Sequence, residues 1–273
     1  MEIILIHLGS NLPDYIWDCI DQIRKYTKEK IIVSLSKKIS IPQIFNSNIS
    51  FVYHDSFDKQ GNWKTFDNVT IFKNNDLWRY SCERLFIIEM IMASFNIKRA
   101  LHIENDNLIY EDPYNITEFH SDKILMTRIT PTLISAGILY IGDLKKLAGI
   151  NCDINNIMSL GIDSIKKKYG NEWLSEMRLL DIIKDTNIEE LPILPGKDFV
   201  FDCASWGQYV GGTHHNPGIS YTTNDHIVGK EINKGNFVVE WVDKKPFVLD
   251  IKNNKKTRLF NLHIHSKELN KWM

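Results

Sequence analysis

The sequence predicts an α/β chain: a mostly parallel sheet flanked by helices, followed by a mixed C-terminal part. Three observations predict it. Short apolar runs rich in β-branched residues alternate, through the first half, with segments whose apolar residues recur at helical spacing. Strands separated by helices need crossover connections, which lay the strands parallel. After residue 112 the alternation gives way to a mixed pattern with a Gly- and His-rich irregular stretch. The 273 residues are 43% hydrophobic, enough for one sizeable core, and no repeat, low-complexity tract or linker divides them. One domain spanning 1–273 is expected, its pattern changing at residue 112 so that 1–112 and 113–273 read as two halves.

In order, "EIILIHLG" is an apolar β-branched run and a buried strand. "LPDYIWDCIDQIRKYT" follows as a helix, with Ile16, Ile20 and Ile23 on one face and Pro13 suited to its first turn. "KIIVSLS" and "ISFVYH" are the next two strands. "NDLWRYSCERLFIIEMIMASFNIK" is the longest helix candidate, with Leu85, Ile88, Met92 and Phe95 on its buried face. "RALHIEND" is a strand that ends in carboxylates, and His102 within it is expected to be a hydrogen-bonded core residue. "TLISAGILYIGDLKKL" predicts a strand running into a short helix, and "NEWLSEMRLLDIIKD" a helix. The Gly- and His-rich region between Pro192 and Lys234, which contains "FDCASWGQYVGGTHHNPG", is expected to be irregular, with Trp206 available to stack on the apolar face of a ligand ring. "TRLFNLHIHSKEL" begins as one alternating strand that puts Leu262 and Ile264 on one side and Asn261, His263 and His265 on the other.

A formal charge of −1 gives no basic field to attract nucleic acid or an anionic membrane. No segment approaches the ~20 apolar residues of a membrane span. The N-terminus lacks the basic start and long apolar core of a signal peptide. The four cysteines form no C-x-x-C, which argues against a zinc knuckle or disulfide scaffold. A cytoplasmic location is expected, in the host cytoplasm if the chain is viral. Dinucleotide, P-loop, zincin and nucleophile-elbow motifs are absent.

Chemistry concentrates at Glu104-Asn105-Asp106. Two carboxylates about 4 Å apart repel by roughly 4 kcal/mol at an effective dielectric near 20, so something positive should offset them. Oxygen ligands at this spacing on a strand-end loop suit Mg²⁺ or Mn²⁺. In parallel sheets ligands sit beyond the carboxyl ends of the strands, where this loop lies. His214-His215 with His226 is a second, weaker metal candidate.

An acidic triplet between apolar runs resembles the DXD motif of GT-A nucleotide-sugar glycosyltransferases, with Glu104 in place of the usual first Asp. "CERLFIIEMIM" resembles the "xxRLxxxE" helix of the glycogenin-like and bacterial lipopolysaccharide galactosyltransferase-like retaining families. "LISAGILYIGDLKKL" resembles their "FNAGVLLINLKKW", "SEMRLL" their "DQDxLN", and "LHIHSK" their C-terminal "HxxGxxK". The resemblance implies a GT-A (Rossmann-like) fold and a metal-dependent hexosyltransferase-like enzyme. Such an enzyme would move a sugar from a nucleotide diphosphate donor, a UDP-sugar, to a hydroxyl of a glycan, protein or small molecule, with retention.

The resemblance also implies roles. Glu104, Asp106 and either His263 or His265 would hold the ion, His265 preferred for its nearness to Lys267. Arg84, Asn105, Ser135, Ala136, Gly137 and Lys267 would meet the donor. His7, Gly9 and Asn11, in the first strand-end loop, would lie against the uracil base. The resemblance makes 1–112 a nucleotide-binding half and 113–273 a sugar/acceptor half. In the reaction Glu176 would stabilise positive charge on the sugar, Arg84 would add charge-assisted hydrogen bonds to the departing diphosphate, and Asp202 (or Asp181) is a candidate catalytic base. The segment from Phe201 to Asn216 would form an acceptor wall or lid. Two alternatives use the same carboxylates: a metal-dependent nucleotidyltransferase or phosphohydrolase, and a catalytically silent sugar-nucleotide or glycan-binding protein.

Overall fold

A computed structural model describes residues 1–41, 48–57, 76–170, 175–183 and 188–273. Both ends of the helix expected over 171–185 lie outside the described residues.

The main sheet begins with β1 (Glu2–Ile6), β2 (Ile31–Leu35), β3 (Ile49–Tyr53) and β4 (Ala100–Ile103), paired parallel in the order β3-β2-β1-β4. β5 (Asn107–Ile109) then leaves this sheet. β6 (Ile124–Thr130), β7 (Leu133–Ile141) and β8 (Ile188–Leu191) complete it in the order β4-β7-β6-β8. β7 is antiparallel to both its neighbours, and β8 is parallel to β6. All but β7 therefore run one way, and the mostly parallel sheet expected from strand-helix-strand order is present.

Both faces of the sheet are covered, as the near-continuous apolar strands require. Along β1, Ile3 and Leu5 enter one core and Ile4 and Ile6 the other. α1 (Tyr15–Tyr26) closes the first with Ile16, Cys19, Ile20 and Ile23. α2 (Asp76–Ser94), α3 (Leu144–Ser159) and, beyond α4 (Ile162–Tyr169), α5 (Glu176–Ile183) close the second. Each fully buried Ile or Leu contributes about 1.5–3 kcal/mol.

Phe95 departs from expectation. α2 ends at Ser94, one residue earlier, so Phe95 is 48% exposed, and Ile91 joins Leu85, Ile88 and Met92 on the buried face instead. The helix after β7 is not short. Asp143 caps it by accepting from the Lys145 N–H at 2.9 Å, and buried Leu147, Ile150, Ile154 and Met158 carry it on to Ser159 at helical spacing. The stretch expected to be irregular holds β9 (Phe199–Val200), α6 (Trp206–Gly211) and, further on, α7 (Ile227–Asn233).

The C-terminal part forms a second sheet from β10 (Phe237–Val242), β11 (Lys245–Asp250) and β12 (Lys255–Leu259), in the order β10-β11-β12-β9. The last strand expected from sequence is two strands. At Phe260, which donates to Val200 O and accepts from the Tyr110 N–H, the chain leaves β12 and becomes β13 (Asn261–His263). β13 pairs antiparallel with β5, setting Asn261 opposite Ile109 and His263 opposite Asn107. This pairing brings the end of the chain to the acidic loop. Among the described residues no helix is long and apolar enough to cross a membrane.

Candidate active site

The acidic loop is fixed from three sides. The Glu104 N–H donates to Gly137 O on β7 at 3.0 Å, and the Ile264 N–H donates to Asp106 O at 2.8 Å. The Asn105 side-chain amide donates to Ile6 O at the end of β1, at 3.0 Å. The loop therefore lies at the carboxyl ends of β1 and β4, where ligands bind in parallel sheets.

The β5–β13 register places the His263 ring between the carboxylates, with Nε2 3.1 Å from Glu104 Oε2 and 3.2 Å from Asp106 Oδ1. Arg84 pairs with Glu104, and with Glu176 at 3.4 Å. Lys267 pairs with Asp106, and its ammonium lies 5.7 Å from the centre of the Tyr15 ring. To reach back, Lys267 takes a left-handed backbone (φ 64°), which costs a non-glycine roughly 1–2 kcal/mol. The positive charge that the acidic pair required thus comes from Arg84, Lys267 and His263.

Burial pushes the Glu104 carboxyl up, but Arg84 and His263 outweigh it and hold the group at about 2. Burial likewise opposes ionisation of Asp106, yet His263 and Lys267 hold it well below the usual carboxylate range. Burial lowers His263, and Asp106 and Glu104 reverse this and hold it at about 9. Glu176 goes the other way: burial lifts it to about 7 against the pull of Arg84.

These groups border a cavity of about 490 Å³ lined also by Tyr15, Trp78, Ser81, Ser135, Met177, Ala204, Gln208 and His226. Glu104, Asp106 and His263 each offer one ligand atom, all within 4.8 Å of one another, and no other such cluster occurs among the described residues. The donor set, two carboxylate oxygens and an imidazole nitrogen, fits Mn²⁺ better than the harder, oxygen-seeking Mg²⁺. Gly137 leaves the room: a Cβ there would stand 3.0 Å from Glu104 Oε2 and 3.2 Å from His263 Nδ1.

Of the residues singled out from sequence, the cavity gathers Arg84, Glu104, Asn105, Asp106, Ser135, Glu176, His263, His265 and Lys267. Ala136 is buried in the core beneath them, and its backbone N–H donates to Glu176. Arg84 does not pair with its helix neighbours: Glu83 meets Arg79, and Glu89 accepts from Asn151. His102 is a buried core residue that hydrogen-bonds Ile4 O at 2.8 Å. His7, Gly9 and Asn11 are not among the cavity's lining. The His7 ring meets Asn11 O at 2.7 Å, and Gly9 borders a neighbouring cavity with Ser36, Lys37 and Asp55.

Four expectations are corrected. His265 is not brought to the carboxylates: its Nδ1 faces Gln208 at 3.4 Å, and His263 occupies the place between them. Asp202 is not a catalytic base. It is buried and accepts four backbone N–H bonds, from Ser205, Trp206, Gly207 and His263 at 2.7–2.9 Å, which leaves no lone pair for a substrate. Asp181 is bound between Arg128 and Arg178 at 2.9 and 3.0 Å. Trp206 is fully buried, with its indole N–H donating to Ile193 O, so it presents no face to a sugar. Sequence reasoning passed over Tyr15, and reached Gln208 only as part of the segment from Phe201 to Asn216. The position of Tyr15, just past the first strand-end loop, was the one available signal.

No protein-family model and no curated protein matches the sequence. Among solved structures, the galactosyltransferase LgtC in complex with donor and acceptor sugar analogues is 12% identical, covering 70% of this chain and 73% of its own, with a TM-score of 0.43. The glycosyltransferase GlyE of Streptococcus pneumoniae TIGR4 is 14% identical (TM-score 0.42), and the match covers 70% of this chain but only 44% of GlyE. Mouse xyloside xylosyltransferase 1 in its apo form is 9% identical (TM-score 0.44), with 76% and 88% covered.

Proposed function

We propose that this chain is a metal-dependent glycosyltransferase of the GT-A type. It would take a UDP-sugar and pass the sugar, with retention, to a hydroxyl of a glycan, protein or small molecule. One observation carries the reading: Glu104, Asp106 and His263 converge at the carboxyl ends of the parallel strands, facing a cavity that Lys267 and Arg84 also line. The order of the sequence stretches that resemble glycosyltransferase motifs supports it.

Glu104, Asp106 and His263 would hold a divalent ion, Mn²⁺ by the donor set, whose charge serves a departing diphosphate as a Lewis acid. Lys267 borders the same space and can donate charge-assisted hydrogen bonds to phosphate oxygens. Arg84 ties Glu104 to Glu176 and so fixes the distance between the phosphate side and the sugar side. Glu176, when ionised, can face positive charge that grows on the sugar ring, as in glycoside hydrolysis. Ser135 offers a hydroxyl at the same wall.

A nucleotidyltransferase or phosphohydrolase built on two metals needs more acidic ligands than the single cluster among the described residues supplies. The test is calorimetry with UDP, with and without Mn²⁺, followed by hydrolysis assays over a panel of UDP-sugars. The expected result is Mn²⁺-dependent UDP binding and slow release of sugar from one donor. Metal-independent UDP binding, or turnover of a nucleoside triphosphate with no sugar present, overturns the reading. UDP binding without turnover of any donor identifies a silent binding protein.

A further inference from the structure

His226 lines the same cavity and has no part in the ion cluster. It stands at the N-cap of α7, and its Nδ1 lies 2.8 Å from Ser205 Oγ. Ser205 is buried; its own N–H donates to Asp202 Oδ1, and its hydroxyl is 3.5 Å from Cys203 Sγ. The ring is therefore held from behind by one nitrogen, while Nε2 makes no other hydrogen bond among the described residues and is left for the cavity. Ala204, between Cys203 and Ser205, has φ 76° and also lines the cavity. Such a conformation in a non-glycine persists only where its surroundings over-determine it. Asp202, which binds the Ser205, Trp206 and Gly207 N–H groups, is that surrounding.

Asp225, the preceding residue, is a charged neighbour that favours the His226 imidazolium, and burial outweighs it. Gln208 lines the cavity as an amide, Ser205 is a hydroxyl, and burial lowers the imidazole itself toward its neutral form. Neutral donors and acceptors match alcohol groups, whereas the charged cluster matches phosphates. A histidine fixed through one nitrogen presents the other in a set orientation.

We propose that His226 is a binding residue for the acceptor: its Nε2 hydrogen-bonds a hydroxyl of a carbohydrate acceptor, and Ser205 is the positioning residue that fixes the ring. This rests on the reading of the cavity as a sugar-transfer site. Either direction of the Ser205–His226 hydrogen bond is compatible with it, since Nε2 then donates to the alcohol oxygen or accepts its proton.

The test uses saturation-transfer NMR with the methyl glycosides of glucose, galactose, N-acetylglucosamine and xylose, on protein loaded with UDP and Mn²⁺. UDP affinity is measured in parallel by calorimetry. At least one glycoside should bind the wild type. His226→Ala should weaken that glycoside about fivefold to tenfold, the size of one hydrogen bond, with UDP affinity held within about twofold. Ser205→Ala should weaken it less, and Ser205→Thr, which keeps the hydroxyl, should restore it. That rescue would not follow from packing alone. Unchanged glycoside affinity in His226→Ala, an equal loss of UDP and glycoside binding, or no glycoside bound by the loaded wild type overturns the assignment. If the wild type fails to bind UDP, the donor reading falls instead, and glycoside titration of the UDP-free protein decides on His226 alone.

Discussion

The cavity has two unlike walls. On one, each carboxylate of the ion cluster is answered by opposite charges: Glu104 by Arg84 and His263, Asp106 by His263 and Lys267. On the other, Ser205 is hydrogen-bonded to His226 and Gln208 to His265, none of them in an ion pair with an opposite charge. The walls are also built differently. The charged wall stands on strand ends of the main sheet, on the β5–β13 pair and, through Arg84, on α2; the neutral wall stands on two short helices and their N-caps. Both are fastened to one buried carboxylate, Asp202, which binds the Ser205 N–H and the His263 N–H at once. Charge recognition and hydroxyl recognition can therefore be disturbed separately at their own residues and jointly at Asp202.

The largest effect is expected from breaking the charged wall alone. Asp106→Asn should lower Mn²⁺ affinity by about 100-fold or more, beyond what loss of an outer-shell partner costs, and UDP binding should fall with it. Calorimetry measures both, and a glycoside bound through His226 should be spared. Asp202→Asn strikes both walls. An amide cannot accept from all four backbone donors and turns N–H groups toward some of them, so stability should drop by about 3 kcal/mol in urea unfolding.

Glu176→Gln sharpens the charged side. The folded chain holds this carboxyl at about 7 against an ordinary 4.5, so it keeps a proton that the unfolded chain gives up between those values. The stability contribution of Glu176 is therefore fully present below pH 4.5 and is lost as the pH rises through 7, by at most about 3 kcal/mol. Urea midpoints at pH 4.5 and 7.5 should show that slope in the wild type relative to the glutamine variant. The smallest effect is expected from Gly137→Ala. Its methyl would crowd Glu104 and His263 without touching the core, and should cost about tenfold in Mn²⁺ affinity with urea stability nearly unchanged.

What was legible in sequence was what is local. The apolar run of "ALHI" followed by Glu104-Asn105-Asp106 marks a strand end with a task, because buried strands do not finish in two carboxylates one residue apart without a partner. What was not legible depends on pairing across the chain. His263 and His265 share a strand parity, so only the register of β13 on β5 decides between them. Asp202 looks like any acidic residue of an irregular loop until four backbone donors are seen to close on it. Trp206 sits among glycines in sequence and in the core in space. The β7 strand also hides an irregularity: between Leu125 and Thr127 of β6 its partner jumps from Tyr140 to Ser135. Such bulges re-aim side chains beside functional sites, and no hydrophobic alternation announces them.

The clasp between β5 and β13 has a consequence for how the molecule comes to be. Lys267 and Asp106 are separated by 161 positions, and contacts of such separation must close a large loop before they stabilise anything. The helices and the β1–β4 ladder can form from nearer neighbours, so acquisition of ion-binding capacity in a refolding experiment should lag recovery of helical signal. An ion captured there would select the completed molecule over every intermediate.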